Sequence, residues 1–290
     1  MTAATDATES TAAVRGSDAL GALRIGFTGC GAMARALAGG LVAAGVRRDH
    51  LCASDPVAAA REAFGAHVGA EALEDNARVV ERSDVVVLAV KPGVVDPALA
   101  ALAGRPGLDA KLWVSIAAGV PIHAIAARLP AGARIVRAMP NTPALARSGA
   151  TAFVANAHAT QADRTAARAL FEAVGYAWEA PSEALLDAVT GLSGSGPAYV
   201  FLFLEALGDA GVRAGLPRDA AYALAFHTVR GAAQLAIESG LHPAALKDQV
   251  TSPGGTTIAG LERLEAGGVR AALHEAVAAA TRRSRELGGS

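Results

Sequence analysis

The chain has 290 residues, 52% of them hydrophobic, with a formal net charge of −1, so it is long enough for two domains and has ample material for buried cores. Near-neutrality without a basic stripe argues against nucleic acid or a membrane surface as partner, and points to a small-molecule substrate or a second copy of the chain. Cys30 and Cys52 lack C-x-x-C spacing and the seven histidines show no paired spacing, which leaves a disulfide framework unsupported, predicts no metal and fits a reducing, cytoplasmic compartment.

Residues 1–20 are mostly small and polar, without the basic start and apolar centre of a signal peptide, and read as a disordered tail. The longest charge-free stretch, between Lys111 and Arg128, is broken by Pro121 and His123 and falls short of the ~20 residues of a membrane helix. The first strong element is Ile25 to Thr28, a strand running into Gly29-Cys30-Gly31-Ala32-Met33-Ala34 and then an alanine-rich helix. This strand, turn and helix start match the dinucleotide fingerprint: Gly29 allows the sharp turn, Gly31 lets a diphosphate approach bare N–H groups, and Ala34 is the small third position.

Leu51 to Asp55 is a second strand closed by Pro56. Asp55 stands roughly 20 positions beyond the glycines, where an acidic residue can hydrogen-bond ribose hydroxyls and would repel a 2′-phosphate. A helix from Pro56 through Phe64, a short strand near His67 and the polar Asp75-Asn76 pair follow. Asp84 to Val90 is apolar on both faces, as a central parallel strand should be, and Lys91-Pro92 stops it at its carboxyl end, where ligands sit in such sheets. Leu112 to Ile116 runs into Ala117-Ala118-Gly119, and Arg134 to Arg137 into Met139-Pro-Asn-Thr-Pro143. Strands at Thr151–Val154 and Tyr176–Glu179 complete an α/β Rossmann-type domain over residues 21–180.

From residue 181 to 290 the pattern is helical. Glu183 to Gly191 reads as a helix, Pro197 and Pro217 start two more, and Asp219 to Ile237 is apolar nearly all round apart from His227 and Arg230. Such a helix should be buried on several sides, which in so small a domain calls for a dimer partner. Two glycine-rich breaks, Gly191 to Pro197 and Thr251 to Thr257, separate the helices. The second has the chemistry of an anion site, with Gly254 and Gly255 freeing backbone N–H groups, Thr256 and Thr257 adding hydroxyls, and a helix starting at once. A cofactor turn in one domain and a carboxylate turn in the other predict a cleft between them.

In these motifs the chain resembles pyrroline-5-carboxylate reductases, from about Leu23 to Leu287. The glycine turn, Ala89-Val90-Lys91-Pro92, Ser115-Ile-Ala-Ala-Gly119, Met139-Pro-Asn-Thr-Pro143, Gly191-Leu-Ser-Gly-Ser-Gly-Pro-Ala-Tyr199 and Leu246 to Thr257 recur in that order. The resemblance implies a Rossmann domain followed by an all-α dimerisation domain with interlocking helices, a homodimer or higher homo-oligomer. It implies reduction of 1-pyrroline-5-carboxylate to L-proline with NADPH, NADH being possible. By position it assigns cofactor contacts to Thr28, Gly29, Cys30, Gly31, Ala32, Met33, Ser54, Asp55, Pro56, Asn76, Ala89, Val90, Lys91, Pro92, Ala117 and Ala118. Substrate contacts fall to Glu183, Gly254, Gly255, Thr256 and Thr257, with Thr257 and Glu183 nearest the chemistry. Two positions depart from the family: residue 32, commonly Asn, Gln or Lys, is Ala, and a common Asn is Gln249.

Two other readings compete. A β-hydroxyacid dehydrogenase shares the glycine turn and helical second domain but wants a lysine base, and Lys91, Lys111 and Lys247, the chain's only lysines, all lie outside the first helix after the domain junction. A non-enzymatic NADPH-binding regulator would not need the Gly254 to Thr257 turn.

Overall fold

The computed structural model describes residues 20–288. The expected disordered tail therefore lies outside the described residues except for Leu20, which is buried. The chain divides into two compact units, one running to Gly194 and resuming at Ala280, the other spanning Ser195–Ala279.

The first unit is built on one eight-stranded sheet: β1 (Ile25–Thr28), β2 (Leu51–Ser54), β3 (Glu71–Leu73), β4 (Val85–Leu88), β5 (Leu112–Ser115), β6 (Arg134–Met139), β7 (Gly149–Ala155) and β8 (Gly175–Glu179), in spatial order β3-β2-β1-β4-β5-β6-β7-β8. Every pairing is parallel except β6 with β7. The order reverses between β1 and β4, and that switch point is where open α/β sheets bind ligands, beyond the carboxyl ends of the strands.

β4 shows how the sheet is buried on both sides. Val85 and Val87 join the core containing Phe27, Leu37, Leu41, Phe64 and Phe171, whereas Val86 and Leu88 join the opposite core with Leu99, Trp113, Ile125 and Ile135. Successive side chains of a strand point to opposite faces, so a run of valines can serve two cores at once. The helices that cover the sheet include α1 (Ala32–Ala43), α2 (Ala58–Val68), α3 (Asn76–Arg82), α4 (Pro92–Ala100), α5 (Ile122–Ala126), α6 (Gln161–Glu172) and α7 (Leu185–Val189). α2 is fastened over β1 by Phe64, whose ring centroid is 6.2 Å from that of Phe27.

Several boundaries differ from the sequence reading. His67 lies inside α2, not in a strand, because the helix runs on to Val68 and stops at Gly69 in the left-handed region; the strand begins only at Glu71. β4 ends at Leu88, two residues before the end of its apolar run, since the chain turns there toward the proline that opens α4. The helix expected over Glu183–Gly191 is α7 followed by a π-helical turn, Thr190–Gly194.

The second unit is helical throughout its described regular structure, with α8 (Gly196–Arg213), α9 (Arg218–Ser239), α10 (Pro243–Gln249), α11 (Thr256–Ala266) and most of α12 (Val269–Gly288). α8 and α9 pack closely through small residues: a Cβ on Gly208 would come within 2.9 Å of the Tyr222 ring, and one on Gly211 within 3.0 Å of Ala221. Within one chain only Ala221 and Ala225 of α9 are buried, so the burial expected on several sides is not supplied by this chain alone. Leu224, Phe226, Leu235 and Ile237 are all at least half exposed, as are Phe201 and Leu202 on α8.

α1 sits close to the segment after α6 because Gly40 has no side chain; a Cβ there would strike the Val174 side chain and lie 2.8 Å from the Ala173 carbonyl oxygen. Backbone cannot retreat as a flexible side chain can. Gly40→Ala is expected to lower stability by about 1–3 kcal/mol through overpacking, read from the urea midpoint. Gly65→Ala in α2, where a Cβ would meet only the Ala70 carbonyl oxygen at 3.8 Å, should instead be neutral or stabilise by up to about 1 kcal/mol.

Candidate active site

The glycine turn occupies the switch point. Gly29 donates its N–H to the Ser54 carbonyl at 2.6 Å, and Ala89 donates to the Thr28 carbonyl at 2.9 Å, so the ends of β2, β1 and β4 are tied together. Gly29 has φ 104°, and a Cβ built on it would lie 2.6 Å from the Ala89 carbonyl oxygen. Glycine is required there twice over, for a backbone region closed to most L-residues and for the contact with the next strand.

Gly31 differs. It is exposed, and a Cβ there would meet nothing within 4 Å. It is the N-cap of α1, which has no side-chain cap and no acidic residue in its first turn. Open space in front of a helix start whose N–H groups lack acceptors among the described residues is what a diphosphate needs. The residues present thus fit a dinucleotide, with the first-turn N–H groups of Ala32, Met33 and Ala34 as its donors.

Around this turn the structure gathers most of the sequence-predicted cofactor residues. Ser54 Oγ is 2.6 Å from Asn76 Oδ1, joining the end of β2 to the start of α3. Lys91 is the exposed N-cap of α4, with Pro92 in the first helical turn. Ala117 is buried and donates its N–H to Ser115 Oγ at 3.3 Å, while Ala118 is exposed just beyond the end of β5.

Asp55 is placed differently from expectation. Its Oδ2 accepts the Cys30 N–H at 3.0 Å and its Oδ1 accepts the Val57 N–H at 3.0 Å. The carboxylate pins the glycine turn to the loop after β2, and the Cys30 N–H is not a bare donor. Burial pushes the Cys30 thiol up to about 12, and the Asp55 charge adds to the rise. Cys52 is also raised, mainly by burial, so both thiols are held in their protonated form at neutral pH.

Glu183 has a defined partner set of its own. Its Oε1 accepts the Ile122 N–H at 2.8 Å and Arg137 Nη1 at 2.7 Å, and the Arg137 side chain is only 11% exposed. Glu183 thereby links β6 to the start of α5, which follows the Ala117-Ala118 segment. Arg137 was missed as a site residue. A charged side chain set between Val136 and Ala138 within a strand was the signal, since such a residue needs a partner once buried. Asn141 was missed likewise: its Nδ2 donates to the Ser193 carbonyl at 3.0 Å and its Oδ1 accepts the Ala150 N–H at 2.8 Å. It ties the Met139–Pro143 segment to the π-helical turn, an element that often marks functional sites.

In the second unit, the turn before α11 is held in shape by Thr251 Oγ1 donating to the Lys247 carbonyl at 2.7 Å and by Gly254 at φ 65°. The Gly255 N–H is engaged, donating to the Ser252 carbonyl at 3.1 Å. The bare donor expected there is therefore absent at Gly255, whereas among the described residues nothing accepts from the N–H groups of Gly254, Thr256 or Thr257. Gly255 is the N-cap of α11, which has no side-chain cap and no acidic first-turn residue. A cavity of about 510 Å³ adjoins this turn, lined by Gly254, Gly255, Lys247, Ile258 and Glu262 among others.

A mostly parallel sheet with a glycine turn at its switch point, followed by a helical unit carrying an uncapped glycine-threonine helix start, defines a nicotinamide-dinucleotide oxidoreductase of the two-domain kind. The family pattern described as pyrroline-5-carboxylate reductase dimerisation matches residues 183–287, and that described as NADP oxidoreductase, coenzyme F420-dependent, matches residues 24–119. Pyrroline-5-carboxylate reductases of Synechocystis and Methanosarcina acetivorans are 48% and 45% identical to the chain, over 92% and 91% of its length and 98% of theirs. A solved pyrroline-5-carboxylate reductase from Coxiella burnetii superposes with a TM-score of 0.87 at 37% identity, covering 91% of this chain and 98% of that one. The Plasmodium falciparum pyrroline carboxylate reductase, solved with NADP bound, gives 0.82 at 32% identity, covering 92% and 99%. The chain belongs to the pyrroline-5-carboxylate reductase family.

If Glu183 acts through its bonds to Ile122 and Arg137, Glu183→Ala should destabilise the protein by about 1–3 kcal/mol, because it strands a buried guanidinium. Glu183→Gln keeps an acceptor for the Ile122 N–H and should leave kcat within about threefold, under ~0.7 kcal/mol. A large loss of kcat in the Gln variant with unchanged melting temperature would show instead that the carboxylate takes part in the chemistry.

Proposed function

We propose that the chain reduces 1-pyrroline-5-carboxylate to L-proline by hydride transfer from NAD(P)H, the last step of proline biosynthesis, in the cytoplasm. The observation that carries this reading is the Thr251–Thr257 turn, whose uncapped helix start offers donors to a carboxylate, in a chain 48% identical to the Synechocystis reductase. A dinucleotide-binding regulator would have no use for it.

When bound, the nicotinamide supplies the hydride, which adds to the C=N carbon of the cyclic imine. Once protonated to an iminium, that imine is a strong electrophile, and the protein's work is chiefly to hold and orient it. The first-turn N–H groups of α1 take the dinucleotide diphosphate, while Thr28, Ser54, Asn76, the Ala89–Pro92 turn and Ala117-Ala118 form the rest of its seat. The N–H groups of Gly254, Thr256 and Thr257 take the substrate carboxylate, and Thr257 Oγ hydrogen-bonds its carboxylate or ring nitrogen. Glu183 and Arg137 position the segment after β5. The functional substrate-binding part begins near residue 181.

No helix among the described residues is long and apolar enough to cross a membrane. The matched dimerisation region supports homo-oligomerisation, and we assign the exposed apolar side chains of α8 and α9 to a homodimer interface, with larger assemblies built on it. Light scattering at micromolar concentration should give at least twice the 29.0 kDa of one chain; a monomer would remove this assignment.

Loss of the Thr257 hydroxyl forfeits a charge-assisted hydrogen bond of roughly 1.5–3 kcal/mol, so Thr257→Ala should lower kcat/KM for pyrroline-5-carboxylate by about ten- to a hundredfold. Cofactor affinity should hardly change. Thr256→Ala keeps its backbone donor and should cost less. Steady-state kinetics at saturating NADPH reads both variants, and a Thr257→Ala enzyme within about twofold of the unsubstituted one would rule out the role given to this hydroxyl.

A further inference from the structure

We propose that Arg61, with Arg35 beside it, binds the 2′-phosphate of NADPH and makes this chain select NADPH over NADH. The inference deepens the cofactor reading above and rests on it. β2 ends at Ser54, and Asp55 and Pro56 follow where the adenosine ribose lies in dinucleotide folds. A free aspartate at that place would favour an unphosphorylated ribose, by accepting its hydroxyls and repelling a phosphate. Asp55 is not free. Both its carboxylate oxygens are engaged by backbone N–H groups, those of Cys30 and Val57, so the residue that would exclude a 2′-phosphate serves instead to shape the loop.

Two guanidinium groups stand at the same loop. Arg61, from the first half of α2, donates Nη1 to the carbonyls of Asp55 at 2.7 Å and Pro56 at 3.1 Å. Arg35, from the first turn of α1, donates Nη1 to the Cys30 carbonyl at 2.9 Å. Backbone carbonyls hold both side chains in place without neutralising them. Among the described residues neither forms an ion pair, and the Nε and Nη2 groups of Arg61 have no acceptor. The charges are near enough to one another to act on one atom: Asp55 raises the pKa of the Cys30 thiol, while Arg61 and Arg35 oppose the rise. Two cations against one committed carboxylate leave the loop positive. A guanidinium already fixed at one end presents its remaining donors as a preorganised fork suited to phosphate oxygens.

Isothermal titration with NADPH, NADH and adenosine 2′,5′-bisphosphate, which carries the 2′-phosphate without a nicotinamide, tests the assignment apart from turnover. The unsubstituted chain should bind NADPH more tightly than NADH. Arg61→Ala should weaken NADPH and the bisphosphate by about ten- to a hundredfold while NADH moves less than about twofold. Arg61→Lys keeps the charge without the fork and should fall between, and Arg35→Ala should show the same selective loss to a smaller degree. Equal losses for NADH and NADPH would overturn the proposal, since a residue that merely shapes the loop would produce them, and so would an unchanged NADPH affinity in Arg61→Ala. Failure of the unsubstituted chain to bind either dinucleotide would overturn the cofactor reading itself.

Discussion

The organisation of the first unit depends on one close approach, that of Gly29 to the Ala89 carbonyl. β1 and β4 are neighbours across the point where the strand order reverses, and both chains must leave the sheet at the same level. A side chain at residue 29 would force them apart and break the bond by which Gly29 reaches Ser54. With the three strand ends drawn together, α1 begins directly above them and aims its uncapped N–H groups over the crevice. The anion site is thus a consequence of how the strands end, and needs no dedicated cationic side chain.

Neighbouring contacts keep that geometry from relaxing. Asp55 grips the turn from the β2 side and Ser54 meets Asn76. Farther along the sheet, Arg137 with Glu183 and Asn141 with Ser193 fasten the segments that follow β5 and β6. Each uses a polar group that is buried or half-buried and hydrogen-bonded, which is costly to disturb because an abandoned partner has little water to turn to. Rigid seats of this kind suit a reaction in which the protein contributes mainly position.

Much of this was legible in the sequence, for reasons that differ by element. β4 was recognisable because a strand buried on both faces must be apolar at every position, and the dinucleotide turn because only glycine satisfies its backbone. The stop of α2 at Val68 was misread because His67 is exposed and carries no periodic signal, while Gly69, which ends the helix, resembles many other glycines. The π-helical turn at Thr190–Gly194 was read as an interhelix break, since Gly191 and Gly194 are breakers by propensity and only tertiary contacts keep them helical. Asp55 is the instructive case. Its type and place were right for ribose, but the acceptors of a carboxylate are also right for nearby backbone N–H groups, and local spacing cannot say which will claim them.

The two units use one device. α1 and α11 both start from a glycine N-cap without a side-chain bond and without an acidic first-turn residue. Some other helices are capped by side chains, as where Asp75 accepts the Ala77 N–H at α3 and Thr160 with Asp163 forms a capping box at α6, whereas α4 and α8 start uncapped like α1 and α11 but from Lys91 and Ser195. A protein side chain that satisfies the first turn also fills the space before it and places an oxygen where an anion would go. Glycine does neither, at a cost of only a few tenths of a kcal/mol in helix stability relative to a side-chain cap. Leaving those donors unmatched is therefore inexpensive for the fold, and among the described residues it leaves the positive end of each helix open to an anion.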